Sequence, residues 1–198
     1  MGTDWRDNDP ELEPWVAIYQ GDRQNYEIPD GPRTNTADDS IGGWRALGFV
    51  SYALAKGYRL GFQASIDHLS THMSYANVWV TEPTRKAMLE GIRKRRVYGA
   101  TDNILADVCS HGHFMGEEFE TSEAPRIEVS LLGTADFERV AITKDGRYFH
   151  SANPRSRQVK LTWADTTAQC GETSFYDVRG EQVDAEVVWV SPMWITPR

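Results

Sequence analysis

The chain has 198 residues, 40% of them hydrophobic and 11% aromatic, with 29 acidic against 21 basic side chains and a formal net charge of −8. That length and apolar content suit one good core or two small ones and exclude an intrinsically disordered chain. The acidic balance argues against nucleic acid or an anionic membrane surface as the main partner, because both attract a basic face.

In chain order, the amino terminus MGTDWRDNDPELEP is polar and acidic, without the charged-then-apolar order of a secretion signal. No apolar run approaches the roughly 20 residues needed to span a bilayer. Cys109 and Cys170 lie far apart without C-x-x-C spacing, so neither a disulfide framework nor a zinc knuckle is indicated. A reduced, cytoplasmic setting is the resulting expectation. Residues 15–20, WVAIYQ, predict a short buried strand. The following stretch, GDRQNYEIPDGPRTNTADD, is rich in Gly, Pro, Asn and Asp and predicts a long loop of the kind that carries function. Asp39 or Ser40 would cap a helix on which Trp44, Leu47, Val50 and Leu54 recur at helical spacing, with Gly57 as its left-handed carboxyl-terminal cap. Next come a strand, LGFQAS, a polar loop and a second strand around Ala76 to Val80. Thr81 and Pro83 open another helix, which carries Met88, Leu89 and Ile92 on one face. Its last turn holds Arg93-Lys94-Arg95-Arg96, where cations offset the negative end of the helix dipole; a solvated helix end is preferred there to a phosphate-binding patch. Strand, helix, strand, helix is α/β order, assigned to residues 1–100.

Beyond Gly99 the pattern turns to alternation. Ile127, Val129 and Leu131 alternate with polar neighbours, Val140 and Ile142 follow, and Lys144-Asp145-Gly146-Arg147 is a hairpin turn. Val159, Leu161 and Trp163, then Phe175 and Tyr176, then 185–190 and 193–195 complete a set of short strands. Their spacing predicts a small antiparallel β-sandwich, immunoglobulin-like, over 101–198.

The chemistry-bearing residues cluster in GFQASIDHLSTHMSYANVWV, residues 61–80. Asp67 and His68 follow a strand, and His72 joins them if the loop turns helically; carboxylate oxygen and imidazole nitrogen are ligands for zinc, iron or manganese. The competing reading is a polar turn with a capping aspartate. Arg23, as a bidentate clamp for an anionic substrate, and Glu27, as a ligand or a base, stand in the other strand-end loop, against the alternative of ordinary solvated groups, and in α/β folds ligands gather at such ends. Ser70 and Thr71 lack a Gly-x-Ser-x-Gly elbow, which argues against serine hydrolase chemistry. Cys109-Ser-His-Gly-His113 is read as a strand-end turn.

GYRLGFQASIDHLSTH followed by VTEPTRKAMLEGIRKRRVYGATDNI resembles the closing segment of the polymerase and histidinol phosphatase (PHP) superfamily of metal-dependent phosphoesterases. IYQGDRQNYE, and the stretch from ERVAITKDGRYFH to WVSPMWI, are similar to a PHP-like subfamily with an appended β-sandwich. The resemblance implies α/β plus all-β architecture: a partial PHP-type (β/α) barrel segment followed by a sandwich. It also implies a divalent metal, zinc, manganese or iron, on Asp67, His68 and His72, and a small phosphoester substrate. Asp67 and His68 are adjacent where the family's pair is separated by one residue, and the early His-x-His ligands are missing, so a weak or incomplete site is expected. Two functions stay open: a metal-dependent phosphoester hydrolase, or the carboxyl-terminal fragment of one, and a non-catalytic binding or assembly module. A homo-oligomer, or a partner chain completing the barrel, is expected to cover the open strand edges.

Overall fold

The computed structural model describes residues 3–21, 24–29, 31–34, 36–38, 44–66 and 73–198. In chain order the elements are β1 (Trp15–Gln20), β2 (Gln24–Asn25), α1 (Val50–Ala55), β3 (Gly61–Ser65), β4 (Tyr75–Val78), α2 (Arg85–Arg93) and β5 (Val97–Ala100). They continue with β6 (Leu105–Ser110), β7 (His113–Phe114), β8 (Glu118–Thr121), β9 (Arg126–Lys144), β10 (Arg147–Ala152), β11 (Ser156–Ala164), β12 (Ser174–Gln182) and β13 (Val187–Pro197). No helix among the described residues is long and apolar enough to cross a membrane.

The strands form two sheets. The smaller has the order β2-β1-β3, with β1 and β3 parallel. The larger, of ten strands among the described residues, runs β4-β5-β13-β12-β9-β6-β7, with β10 and β11 paired to β9 and β8 paired to β13. Among the described residues strand accounts for 48% and helix for 8%, and the larger sheet is a curled, mainly antiparallel half-barrel. This overturns the expected partial (β/α) barrel followed by a separate sandwich. The unit β4–α2–β5 is not a parallel repeat: β4 and β5 are antiparallel, and β5 hydrogen-bonds onward to β13.

The reason lies largely in β13. Its run VVWVSPMWI is apolar at successive positions, and a strand of that kind needs cover on both faces. Val188, Val190, Met193 and Ile195 enter one core, with Ile127, Val129, Phe137 and Ile142 inside the curl. Val187, Trp189 and Trp194 enter a second core, formed with Ile18, Leu54, Leu60 and Phe62 of the β1–α1–β3 unit. The small sheet thus lies on the outer face of β12 and β13. Pro192 fits within β13 because the strand's second edge is shared: β5 pairs with Val188–Val190 and β8 joins only from Trp194.

Local signals explain the elements. The turn between β9 and β10 has positive φ at both Asp145 and Gly146, the geometry a two-residue hairpin requires. Helix α1 is shorter than its sequence pattern, beginning at Val50; it ends with Gly57 at φ +95°, the Gly57 amide donating to Leu54 O and the Tyr58 amide to Ala53 O. Helix α2 starts two residues past Pro83, after Thr84 as its N-cap, whose hydroxyl accepts from the Ala87 amide at 3.2 Å. Met88 and Leu89 remain 48% and 49% exposed, so α2 buries little beyond Gly91. The 19-residue β9 bends at 133–136, where the Gln182 side chain accepts from the Thr134 and Ala135 amides.

Candidate functional site

Strands β1 and β3 set the first half of the site. Gln20 pairs with Ser65 in parallel register, and the Gly21 amide donates to Ser65 O at 2.6 Å. A Cβ on Gly21 would stand 2.8 Å from Ile66 O, so only glycine permits this approach. Gly21, two residues before Arg23, and Ile66, next to Asp67, are therefore neighbours at the ends of β1 and β3. Arg23, Asp67, His68 and His72 themselves lie outside the described residues.

Glu27 follows β2, in a strap, Asn25–Ile28, that doubles back along β1 and lies across the amino terminus of α1. That terminus has Phe49 at its cap position and no side-chain cap; instead the Tyr26 and Glu27 carbonyls accept from the Val50 and Ser51 amides at 2.8 and 3.1 Å. The Glu27 carboxylate, 4% exposed, accepts from Arg179 Nη1 at 2.7 and 2.6 Å and from Trp189 Nε1 at 2.8 Å. Arg179, fully buried, also donates from Nε to Glu181 at 3.0 Å and from Nη2 to the Tyr148 hydroxyl. Burial opposes the Arg179 charge, but the Glu27 carboxylate beside it holds the guanidinium protonated. Thus Glu27, a base on sequence grounds, is engaged as the counter-ion of a buried arginine.

Asp177 stands two residues before Arg179 on β12 and accepts from the Thr143 hydroxyl at 2.5 Å. Burial, reinforced by the negative charge of Glu27, raises its carboxyl to about 7, against the opposing effects of Thr143 and Arg179. Asp177 and Glu27 line one cavity of about 10 Å³, together with Ile28, Val50, Ser51, Leu54, Phe62, Gly146 and Phe175. Sequence reasoning passed over this cluster. The signal was present: Asp177 and Arg179 are charged residues inside FYDVRG, a stretch otherwise suited to a doubly covered strand.

A second buried carboxylate, Asp165, accepts from Lys144 Nζ, the Tyr176 hydroxyl and the Thr167 hydroxyl, each at 2.7 Å. Burial alone would raise its pKa, yet these donors hold it down at about 2. Its polar capacity is satisfied, which marks it as a structural brace between β9, β11 and β12.

The remaining candidates disperse. His111 and Gly112 form the turn between β6 and β7 with positive φ, as expected of a strand-end turn. His113 bonds Glu117 through Nδ1 at 3.0 Å and stacks on Phe119, whereas His111 Nε2 meets Ala124 O at 3.0 Å. His150 stacks on Trp163. Burial, with Glu128 and Asp107 nearby, pushes the Cys109 thiol up and away from nucleophilic reactivity. No group of three His, Cys, Asp or Glu side chains suited to a metal ion gathers among the described residues.

No family model matches the chain. It is similar to a protein of Chlamydia pneumoniae described as uncharacterized, at 24% identity over 226 residues, covering 98% of this chain and 36% of that protein. Uncharacterized proteins of Chlamydia muridarum and Chlamydia trachomatis serovar D match at 23% identity over 227 residues, with the same coverage. The chain therefore spans about a third of the length of these curated relatives, and the likeness extends along nearly all of it without carrying an activity.

Proposed function

We propose that the protein takes part in the metal-dependent hydrolysis of a small phosphoester in the cytoplasm, supplying part of a metal site from the end of β3 and an anion clamp from the end of β1. The observation that supports this most is the parallel pairing of those strands, with Gly21 bonded to Ser65, which brings together the chain positions just before Arg23 and just before Asp67. One carboxylate and two imidazoles are a donor set that fits zinc, manganese or iron, and such an ion lowers the pKa of a bound water toward neutrality. Arg23 suits a phosphate oxygen because its planar fork donates two parallel hydrogen bonds. The resemblance of LGFQASIDHLSTH to the PHP superfamily points the same way, and two unpaired thiols, Cys109 and Cys170, fit a reducing compartment. With at most three ligands of its own, the chain would hold one ion weakly unless residues from elsewhere, in a longer polypeptide or a second chain, complete the set.

The engagement of Glu27 by Arg179 favours a second reading, a binding or assembly module without turnover. The two are separated by metal content after purification and by manganese- or zinc-dependent hydrolysis of an aryl phosphate, comparing wild type with Asp67→Ala and His68→Ala. Metal uptake lost in both variants is the expected result. Hydrolysis that both substitutions leave intact refutes the assignment. Absence of metal and activity, together with self-association in light scattering, supports the assembly reading.

A further inference from the structure

The strap Asn25–Ile28 rests on a polar cluster whose charges do not balance. Glu27 from the strap and Asp177 and Glu181 from β12 are three carboxylates; Arg179 is the buried guanidinium they face, and Arg139 of β9, opposite Glu181 and over the Tyr148 ring, is a second cation on the Glu181 side. The other groups around Asp177 supply no compensating charge. From β9, Thr143 donates a hydroxyl, Lys144 is bonded to Asp165, and Asp145 accepts from the Phe175 amide at 3.0 Å. Tyr148 of β10 accepts from Arg179, Tyr176 of β12 bonds Asp165, and Trp189 of β13 bonds Glu27. Helix α1 and β3 contribute only Val50, Ser51, Leu54 and Phe62 to the shared cavity, whose volume of about 10 Å³ admits at most one water. The Glu181 side chain is 20% exposed, whereas Glu27 and Asp177 are buried. Two buried carboxylates beside a guanidinium that bonds only Glu27 of the two are best accommodated when Asp177 holds a proton.

We propose that this cluster is a proton-operated latch: a proton on Asp177 lets the strap Asn25–Ile28 seat against β12 and β13, and its loss loosens the strap and the amino terminus of α1 that the strap caps. The coupling is direct, because the residue whose side chain meets Arg179 is the one whose carbonyl accepts from Ser51. The carboxyl of Asp177, raised to about 7, places the transition within the range cells experience. The Glu27 carboxylate accepts from Arg179 and Trp189, whereas Asp177 accepts from the neutral Thr143 hydroxyl, which leaves Asp177 as the carboxyl without a bonded cation.

Amide hydrogen exchange of the whole chain, followed by NMR, tests the latch at Val50 and Ser51, whose donors end on the strap. After correction for intrinsic exchange, their protection should fall about tenfold between pH 6 and pH 8, the change expected when opening restores an ordinary acidic pKa. In Asp177→Asn, which is neutral at every pH, protection should stay flat. Wild-type protection without that fall, or a fall retained in Asp177→Asn, overturns the proposal. If the variant does not fold, carboxyl-carbon titration of wild-type Asp177 decides: a midpoint near 7 supports the latch, and one in the usual aspartate range removes it.

Discussion

Replacing Arg179 by methionine removes the cation that joins the strap to the large sheet. The side chain is fully buried and makes bonds of 2.7 and 2.6 Å to Glu27 and 3.0 Å to Glu181, besides the Tyr148 contact. Methionine fills similar space, so the loss is chiefly electrostatic: Glu27 would be left buried with only Trp189 as a donor, and Asp177 would lose the positive charge that favours its ionised form. Breaking a buried pair in this one-sided way costs about 3–5 kcal/mol. For a chain of this size that is a fall in Tm of about 10 °C. Urea unfolding of Arg179→Met, Glu27→Gln and the double variant is the appropriate assay, because the double variant removes the orphaned charge along with its partner. The double variant should be more stable than the sum of the single losses by about 2 kcal/mol. The loss in Arg179→Met should also be greater at pH 8 than at pH 5, since the stranded carboxyls can take up protons at the lower pH. A single-variant loss below about 1 kcal/mol, or strict additivity, would refute the view that this pair anchors the strap.

Two further outcomes follow from neighbouring features. The folded-state pKa of Asp165, about 2, lies below its ordinary value of 3.8, so its contribution is present above about pH 4 and is lost as the pH falls toward 2; Asp165→Asn should flatten that part of the urea-midpoint profile, and an unchanged acid slope counts against the brace. Gly57 sits at φ +95°, and a methyl group on its Cα would meet nothing within 4 Å, so Gly57→Ala should cost about 1 kcal/mol through backbone strain alone, and a neutral thermal melt would contradict the left-handed cap.

What the sequence made legible was local. Asp145-Gly146 and Gly57 lie where positive φ is needed, and residues such as Ile127, Val129 and Leu131 alternate because one face of β9 is buried. The α/β reading failed where local pattern and long-range pairing diverge. Met88 and Leu89 have the spacing of a buried helix face, yet α2 leaves them half exposed, and the strand after it turns back to pair antiparallel with β4 and then with β13, about 90 residues later. Pairing at that separation leaves no periodic mark in either segment. The site divides similarly. Turn residues marked the stretch after β1, although it holds the short strand β2, whereas the role of Glu27 depended on Arg179, 152 positions away. What could have exposed it is a cost argument: a strand covered on both faces does not hold Asp177 and Arg179 without partners, and a chain that keeps both must bring an opposite charge to them from another element. The loop between β1 and α1 is where that charge enters, which is why an acidic residue there serves the fold before it can serve chemistry.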